Sequence, residues 1–102
     1  MYRDVENINK TVCEHFNVET SYPFPDNCKR HQAHIRYIFF YLCDKHVSNI
    51  ISHQMIVDYV LKTHGVKFCR TCICIAKRTI KNLLCVDKEV IKNINEIELK
   101  LV

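Results

Sequence analysis

Residues 59–86 read YVLKTHGVKFCRTCICIAKRTIKNLLCV. Apolar residues recur at three- and four-residue steps on both sides of Gly65, which predicts a helix that ends at this glycine and a second amphipathic helix after it. The stretch holds six Lys or Arg residues and no Asp or Glu. It therefore predicts a helix-turn-helix-like element that carries positive charge.

The same spacing predicts further helices on both sides of this element. We predict helices at residues 4–15, 27–45 and 53–64, a fourth helix capped by Thr71, and a fifth that opens at Asp87 and runs to about Leu101. Asp26 and Ser52 are the predicted N-caps of the second and third helices. Residues 96–102 also alternate with period two, so a short terminal strand is the alternative there. The predicted fold is an all-α bundle of about five helices.

The predicted core consists of the apolar residues that recur at helical spacing. They are Val5, Ile8, Val12, Phe16, Ile35, Ile38, Phe39, Leu42, Cys43, Ile56, Val57, Val60, Leu61, Ile73, Ala76, Ile80, Leu83, Val90, Ile91, Ile94, Ile97 and Leu101. Cys72 and Cys85 also fall at apolar helix positions, and Tyr37 or Tyr41 is expected at the rim.

Length and composition predict a single globular domain that spans residues 1–102. Of these residues, 48% are hydrophobic and 25% are charged, which is typical of a folded chain. The sequence has no apolar run of transmembrane length and no apolar signal-peptide core. We therefore expect a cytoplasmic protein without membrane contact, whose seven cysteines remain reduced thiols.

A second window without acidic residues, 27–43, adds Lys29, Arg30 and Arg36 to the basic side of the molecule. Most of the Lys and Arg residues therefore fall in two windows, whereas the N-terminal segment is acidic. A local positive field of this kind binds phosphate backbones, because each neutralised phosphate releases a counterion. Double-stranded DNA is the expected partner.

Five segments in chain order carry a family resemblance. They are VCEHFNV at 12–18, KRHQAHIR at 29–36, RYIFFYLC at 36–43, RTCICIAKRTI at 70–80, and a closing segment with Leu83, Leu84, Asp87, Glu89 and the helix at 94–101. The chain resembles the C-terminal DNA-binding domain, domain IV, of the bacterial replication initiator DnaA, which belongs to the Trp repressor-like superfamily. Residues 70–80 fall on the domain's signature, H-T-T-V-x-[HY]-A-x-[KR]-x-I.

The resemblance implies sequence-specific binding to a duplex element, the DnaA box, through both grooves. Arg36 matches the arginine that enters the minor groove, and Thr71 matches the first signature threonine, whose methyl group contacts a thymine methyl in the major groove. Arg70 and Cys72 take the places of the signature histidine and second threonine. The remaining DNA-binding residues are expected at phosphates: Lys29, Arg30, His34, Lys67, Lys77 and Arg78.

Departures from the family pattern predict an altered target sequence. Cys69 replaces an acidic residue of the family, and Arg70, in place of histidine, can take a guanine bidentately. Ile75 replaces a phosphate-binding histidine. The segment 44–52 is longer than in typical members, and one extra residue precedes the signature.

The sequence lacks a phosphate-cradling G-x-x-x-x-G-K-[ST] loop, so no ATPase module, nucleotide or other cofactor is expected. We expect no enzymatic activity either. The predicted role is replication or transcription control at clustered boxes, as at a replication origin, in a bacterial or phage nucleoid-associated protein. Replication proteins are further expected partners.

Three alternatives remain open from the residues. Zinc could bind Cys69, Cys72 and Cys74 with His64, or Cys28, His31 and His34 with Cys13 and His15, although no second C-x2-C appears. A nucleophilic Cys69 is a weaker idea, whereas Cys72 or Cys74 could make DNA binding sensitive to oxidation. The rival function is a protein-interaction module without base readout, which an exposed patch of Phe40, Tyr41 and Ile75 would favour.

Overall fold

Five helices make up the structure, a computed structural model that describes residues 2–24, 29–47 and 52–101. They are α1 (Tyr2–His15), α2 (Arg30–Val47), α3 (His53–His64), α4 (Arg70–Val86) and α5 (Lys88–Leu101). The predicted all-α bundle is confirmed, and the described residues contain no strand. The predicted Asp26 cap and the predicted start of α2 at Asn27 lie outside the described residues.

Helix α2 is the centre of the bundle, because it packs extensively against α4 and also against α1. Its buried residues include Phe39, Phe40, Tyr41 and Leu42, four consecutive positions that point in different directions around the helix. A helix buried on several sides shows little amphipathic contrast. The sequence identified Phe39 as a core residue and expected Tyr37 or Tyr41 at the rim; Tyr37 is half-buried, as the rim requires, whereas Tyr41 is buried.

Local capping follows the sequence at both ends of α3. The Ser52 side chain accepts a hydrogen bond from the Met55 backbone N–H, as predicted for an N-cap. Gly65 ends the helix at φ 74°, a left-handed conformation that glycine adopts without a Cβ penalty, and its N–H donates to the Leu61 carbonyl.

Helix α4 begins earlier than predicted. Cys69 is its N-cap residue, with extended backbone angles and no side-chain capping hydrogen bond, so Thr71 already lies in the first turn and the predicted Thr71 cap is wrong. Asp87 ends α4 and also caps α5, because its carboxylate accepts from the backbone N–H groups of Glu89 and Val90.

The alternative of a terminal strand is wrong, since α5 continues to Leu101. A strand would place Ile97, Leu99 and Leu101 on one face, but Ile97 is buried while Leu99 is 76% exposed. Helical spacing instead directs Val90, Ile94 and Ile97 into the core, where α5 packs against α1 and α4.

Two further predicted core positions are wrong. Leu61 is exposed, whereas Tyr59 joins Ile56, Val57 and Val60 in the buried arc of α3. Cys85 is also exposed, near the end of α4. None of the described helices combines the length and the apolar character that a membrane crossing needs.

Candidate nucleic-acid interface

The start of α4 presents polar side chains to solvent. Arg70 and Thr71 are exposed, and Cys72 is half-buried against the core. The first turn carries no acidic residue, so the partial positive charge of the helix N-terminus is not offset within the turn. An exposed helix start of this kind attracts phosphate oxygens.

Arg36 of α2 reaches the same region through Phe68, which lies between α3 and α4. The Arg36 guanidinium carbon is 4.9 Å from the centroid of the Phe68 ring, within cation–π distance. Phe68 in turn packs edge-on against Phe40, with ring centroids 5.7 Å apart. Burial raises the pKa of the Cys72 thiol, and the positive charge of the nearby Arg36 offsets this rise only in small part. The structure therefore brings Arg36 and the first turn of α4 together.

Lys29 and Arg30 are exposed at the start of α2. The Lys29 backbone N–H donates to Oε1 of Gln32 at 2.9 Å, and Gln32 Nε2 donates to the Tyr22 carbonyl at 3.1 Å. These bonds tie the start of α2 to the loop after α1. The basic side chains are thus carried on an anchored backbone.

Charge pairing divides the predicted cations into two groups. Among the ion pairs of the described residues, none involves Lys29, Arg30, Lys67, Arg70 or Arg78. Lys77 differs, because its Nζ lies 3.2 Å from Oδ2 of Asp44. A phosphate at Lys77 would compete with this carboxylate.

Asp44 joins three helices. Its second oxygen, Oδ1, lies 2.7 Å from His53 Nε2, so the carboxylate connects the end of α2 with the start of α3 and the middle of α4. Burial raises the pKa of Asp44, but the hydrogen bonds from His53 and Lys77 outweigh burial and leave this pKa below its ordinary value. We did not anticipate this network from the sequence, since the three residues come from separate helices.

His34 lies in a surface groove that histidines and two carboxylates line. His31, Asp87 and Glu89 line this surface groove of about 490 Å³ together with His34. Burial and the neighbouring His31 lower the pKa of His34, while the two carboxylates oppose the shift only in part. His34 is therefore mainly neutral at pH 7, and a phosphate there would meet two carboxylates.

The apolar patch that would favour a protein-interaction module is not assembled. Phe40 is fully buried and Tyr41 is 8% exposed, whereas Ile75 is 43% exposed. Tyr41 and Phe40 belong to the buried arc of α2, so Ile75 is the one member of the three that lies at the surface.

The residues of the alternative zinc sites do not converge within residues 2–24, 29–47 and 52–101. No group of three His, Cys, Asp or Glu side chains in these ranges could hold a metal ion, and Cys28 lies outside them. His64 stacks on the Phe24 ring at 4.6 Å and contacts Nδ2 of Asn9 instead of the cysteines of α4. Cys69 and Cys72 do approach each other, with their sulfurs 3.7 Å apart.

Sequence patterns also missed Asn9, a buried amide in the middle of α1. Its Nδ2 donates to the Thr20 carbonyl, and its Oδ1 accepts from the Cys13 thiol. These partners explain why an amide is stable inside the bundle. Its position on the face shared with Val5, Ile8 and Val12 was the available signal.

Comparison of the chain with models of known protein families and with curated proteins gives no significant match. The likeness to DnaA domain IV therefore rests on the five segments of sequence alone.

Proposed function

We propose that this chain binds double-stranded DNA sequence-specifically, in the manner of a DnaA domain IV-like regulator of replication or transcription, and that it acts without catalysis. The observation that carries the proposal is the position of Arg36, on α2, over the ring of Phe68, the residue that precedes the N-cap of α4. In this arrangement Arg70 and Thr71 read base edges in the major groove, while Arg36 reaches the minor groove beside it.

Phosphate contacts position the domain in this proposal. Lys29, Arg30, Lys67 and Arg78 are exposed cations outside the ion pairs of the described chain, so they bind phosphate without first breaking an internal contact. Lys77 and His34 contribute less, because Lys77 pairs with Asp44 and His34 lies beside Asp87 and Glu89.

Fluorescence anisotropy tests the proposal directly. Wild-type protein is titrated against a duplex that carries a DnaA box and against a scrambled duplex, each at two salt concentrations. Tighter binding to one sequence that persists at the higher salt supports base readout, since phosphate contacts alone weaken steeply with salt. No binding to either duplex would overturn the proposal and favour the protein-interaction module.

A further inference from the structure

Cys69 and Cys72 form a close pair of thiols at the surface. Their sulfurs lie 3.7 Å apart, at the N-cap and in the first turn of α4. Residues three apart on a helix share a face, which explains why these two side chains meet. Cys74 is five positions from Cys69, so it points to a different side of α4.

The surroundings of the two thiols differ in a way that suits thiol–disulfide exchange. The backbone N–H of Cys72 and then its thiol, both close to the exposed Cys69 sulfur, lower the pKa of the Cys69 thiol. Burial raises the pKa of the Cys72 thiol. Cys69 therefore loses its proton first, while the neighbouring Cys72 thiol stays protonated.

The two cysteines buried in the core contrast with this pair. Burial raises the pKa of Cys13 to about 11, and burial also raises the pKa of Cys43 well above its ordinary value. Both thiols are therefore protonated at neutral pH and shielded from reagents. Cys74 and Cys85 are exposed, so they serve as comparisons for simple accessibility.

We infer that Cys69 and Cys72 are a redox-active dithiol that low-molecular-weight disulfides of the glutathione class oxidise to an intramolecular disulfide. The sulfurs need to approach by less than two ångströms to bond, a movement that side-chain rotation in the first turn can supply. This inference does not depend on DNA binding.

The exchange proceeds in two steps. The Cys69 thiolate attacks one sulfur of the small disulfide, which forms a mixed disulfide and releases one small thiolate. Cys72 then loses its proton and attacks Sγ of Cys69, which forms the internal bond and releases the second small thiolate. The two released thiolates take up the two protons that Cys69 and Cys72 lose. Two electrons thus pass from the protein dithiol to the small disulfide.

Thiol trapping with mass spectrometry tests the inference. The full chain is equilibrated in anaerobic buffers of reduced and oxidised glutathione, quenched in acid, alkylated with a maleimide and digested with trypsin. Cleavage after Arg70 separates Cys69 from Cys72, so a disulfide between them holds the fragments 68–70 and 71–77 together. We expect this linked pair at the summed mass of the two unalkylated fragments less two hydrogens, plus one maleimide on the Cys74 thiol.

Variants assign the bond. The fragment 71–77 also contains Cys74, so Cys74→Ser must retain the link, whereas Cys72→Ser must abolish it and leave a glutathione adduct on Cys69. Cys69→Ser, at an exposed position, is a second variant that must abolish the link even if Cys72→Ser perturbs folding. A wild-type chain that shows only adducts or unmodified thiols at every glutathione ratio would overturn the inference, and so would loss of the link in Cys74→Ser.

Discussion

The guanidinium of Arg36 lies over the ring of Phe68, 4.9 Å from its centroid. Phe68 follows the Gly65 turn and packs on Phe40 of α2, so one aromatic ring connects the hydrophobic core to Arg36 beside the start of α4. In the proposed function this contact sets the direction of Arg36 relative to Arg70 and Thr71.

Phe68→Leu should weaken specific DNA binding while most of the apolar contact is retained. A cation–π contact contributes about 0.5–1 kcal/mol at an exposed site, which corresponds to a two- to fivefold loss of affinity for the preferred duplex. Anisotropy titration of the folded variant measures this. Phe16→Leu is the matched control, since Phe16 is half-buried and its ring contacts His15 and His31. Equal losses in the two variants would contradict a specific role for Phe68.

Thr71→Ala and Lys29→Ala should separate base readout from phosphate contact. Thr71→Ala removes a methyl and a hydroxyl from the proposed base-facing turn, so it should weaken the preferred duplex selectively. Lys29→Ala should weaken all duplexes similarly and reduce the salt slope by about one. Lys77→Ala should change the slope less than Lys29→Ala, because Asp44 already neutralises Lys77. Anisotropy with two duplexes over a salt series measures all three, and a uniform loss in Thr71→Ala would count against base readout.

Asp44→Asn should lower the free energy of unfolding at pH 7 by about 1–2 kcal/mol, with allowance for solvent screening at the half-exposed Lys77. The folded-state pKa of Asp44 lies below its ordinary value of 3.8, so its stabilising contribution is complete above that pH and is lost as pH falls through the folded-state pKa. Urea unfolding at several pH values should therefore show a weaker acid dependence in Asp44→Asn.

Asp58→Asn provides the control for that experiment. Asp58 is half-buried on α3 and accepts a hydrogen bond from Gln54, in the same helix. Its substitution should change the free energy of unfolding by less than about 0.5 kcal/mol. If the two variants behave alike, the link between α2, α3 and α4 through Asp44 does not stabilise the fold.

Oxidation of Cys69 and Cys72 should weaken DNA binding reversibly, if both the proposed function and the dithiol are correct. The disulfide would fix the first turn of α4 beside Arg70 and Thr71, and loss of one base contact there, worth about 1–3 kcal/mol, corresponds to a loss of affinity of about fivefold or more. Anisotropy before oxidation, after oxidation and after reduction measures the effect. Cys74→Ser should respond like wild type and Cys69→Ser should not respond. An oxidised wild type with unchanged affinity would separate the dithiol from DNA binding.

Periodicity predicted the helices well because most of them bury one stripe. Ser52 and Gly65 also identified both ends of α3, since capping depends on local backbone geometry. The sequence was less informative for α2, where Phe40 and Tyr41 are buried along with Phe39 because neighbouring helices cover several sides.

The sequence indicated which cations lie at the surface of the candidate site, but not the contacts that some of them make. The cations at residues 29, 30, 67, 70 and 78 are exposed, as a binding surface requires. The pairing of Lys77 with Asp44 and the acidic surroundings of His34 depend on contacts between helices, which spacing along one helix does not reveal. The C-x2-C spacing of Cys69 and Cys72 is visible in the sequence. Whether their sulfurs approach each other depends on where the first turn of α4 begins, and the sequence did not predict that start correctly.

Selection from a library of randomised duplexes tests the central claim most directly. Wild-type protein and Arg70→Ala are each carried through several rounds at physiological salt, and the bound DNA is sequenced. The account predicts that wild type enriches one short motif and that Arg70→Ala relaxes the preference at a guanine within it. Recovery of random sequence by the wild type, or no recovery of DNA, would contradict sequence-specific binding.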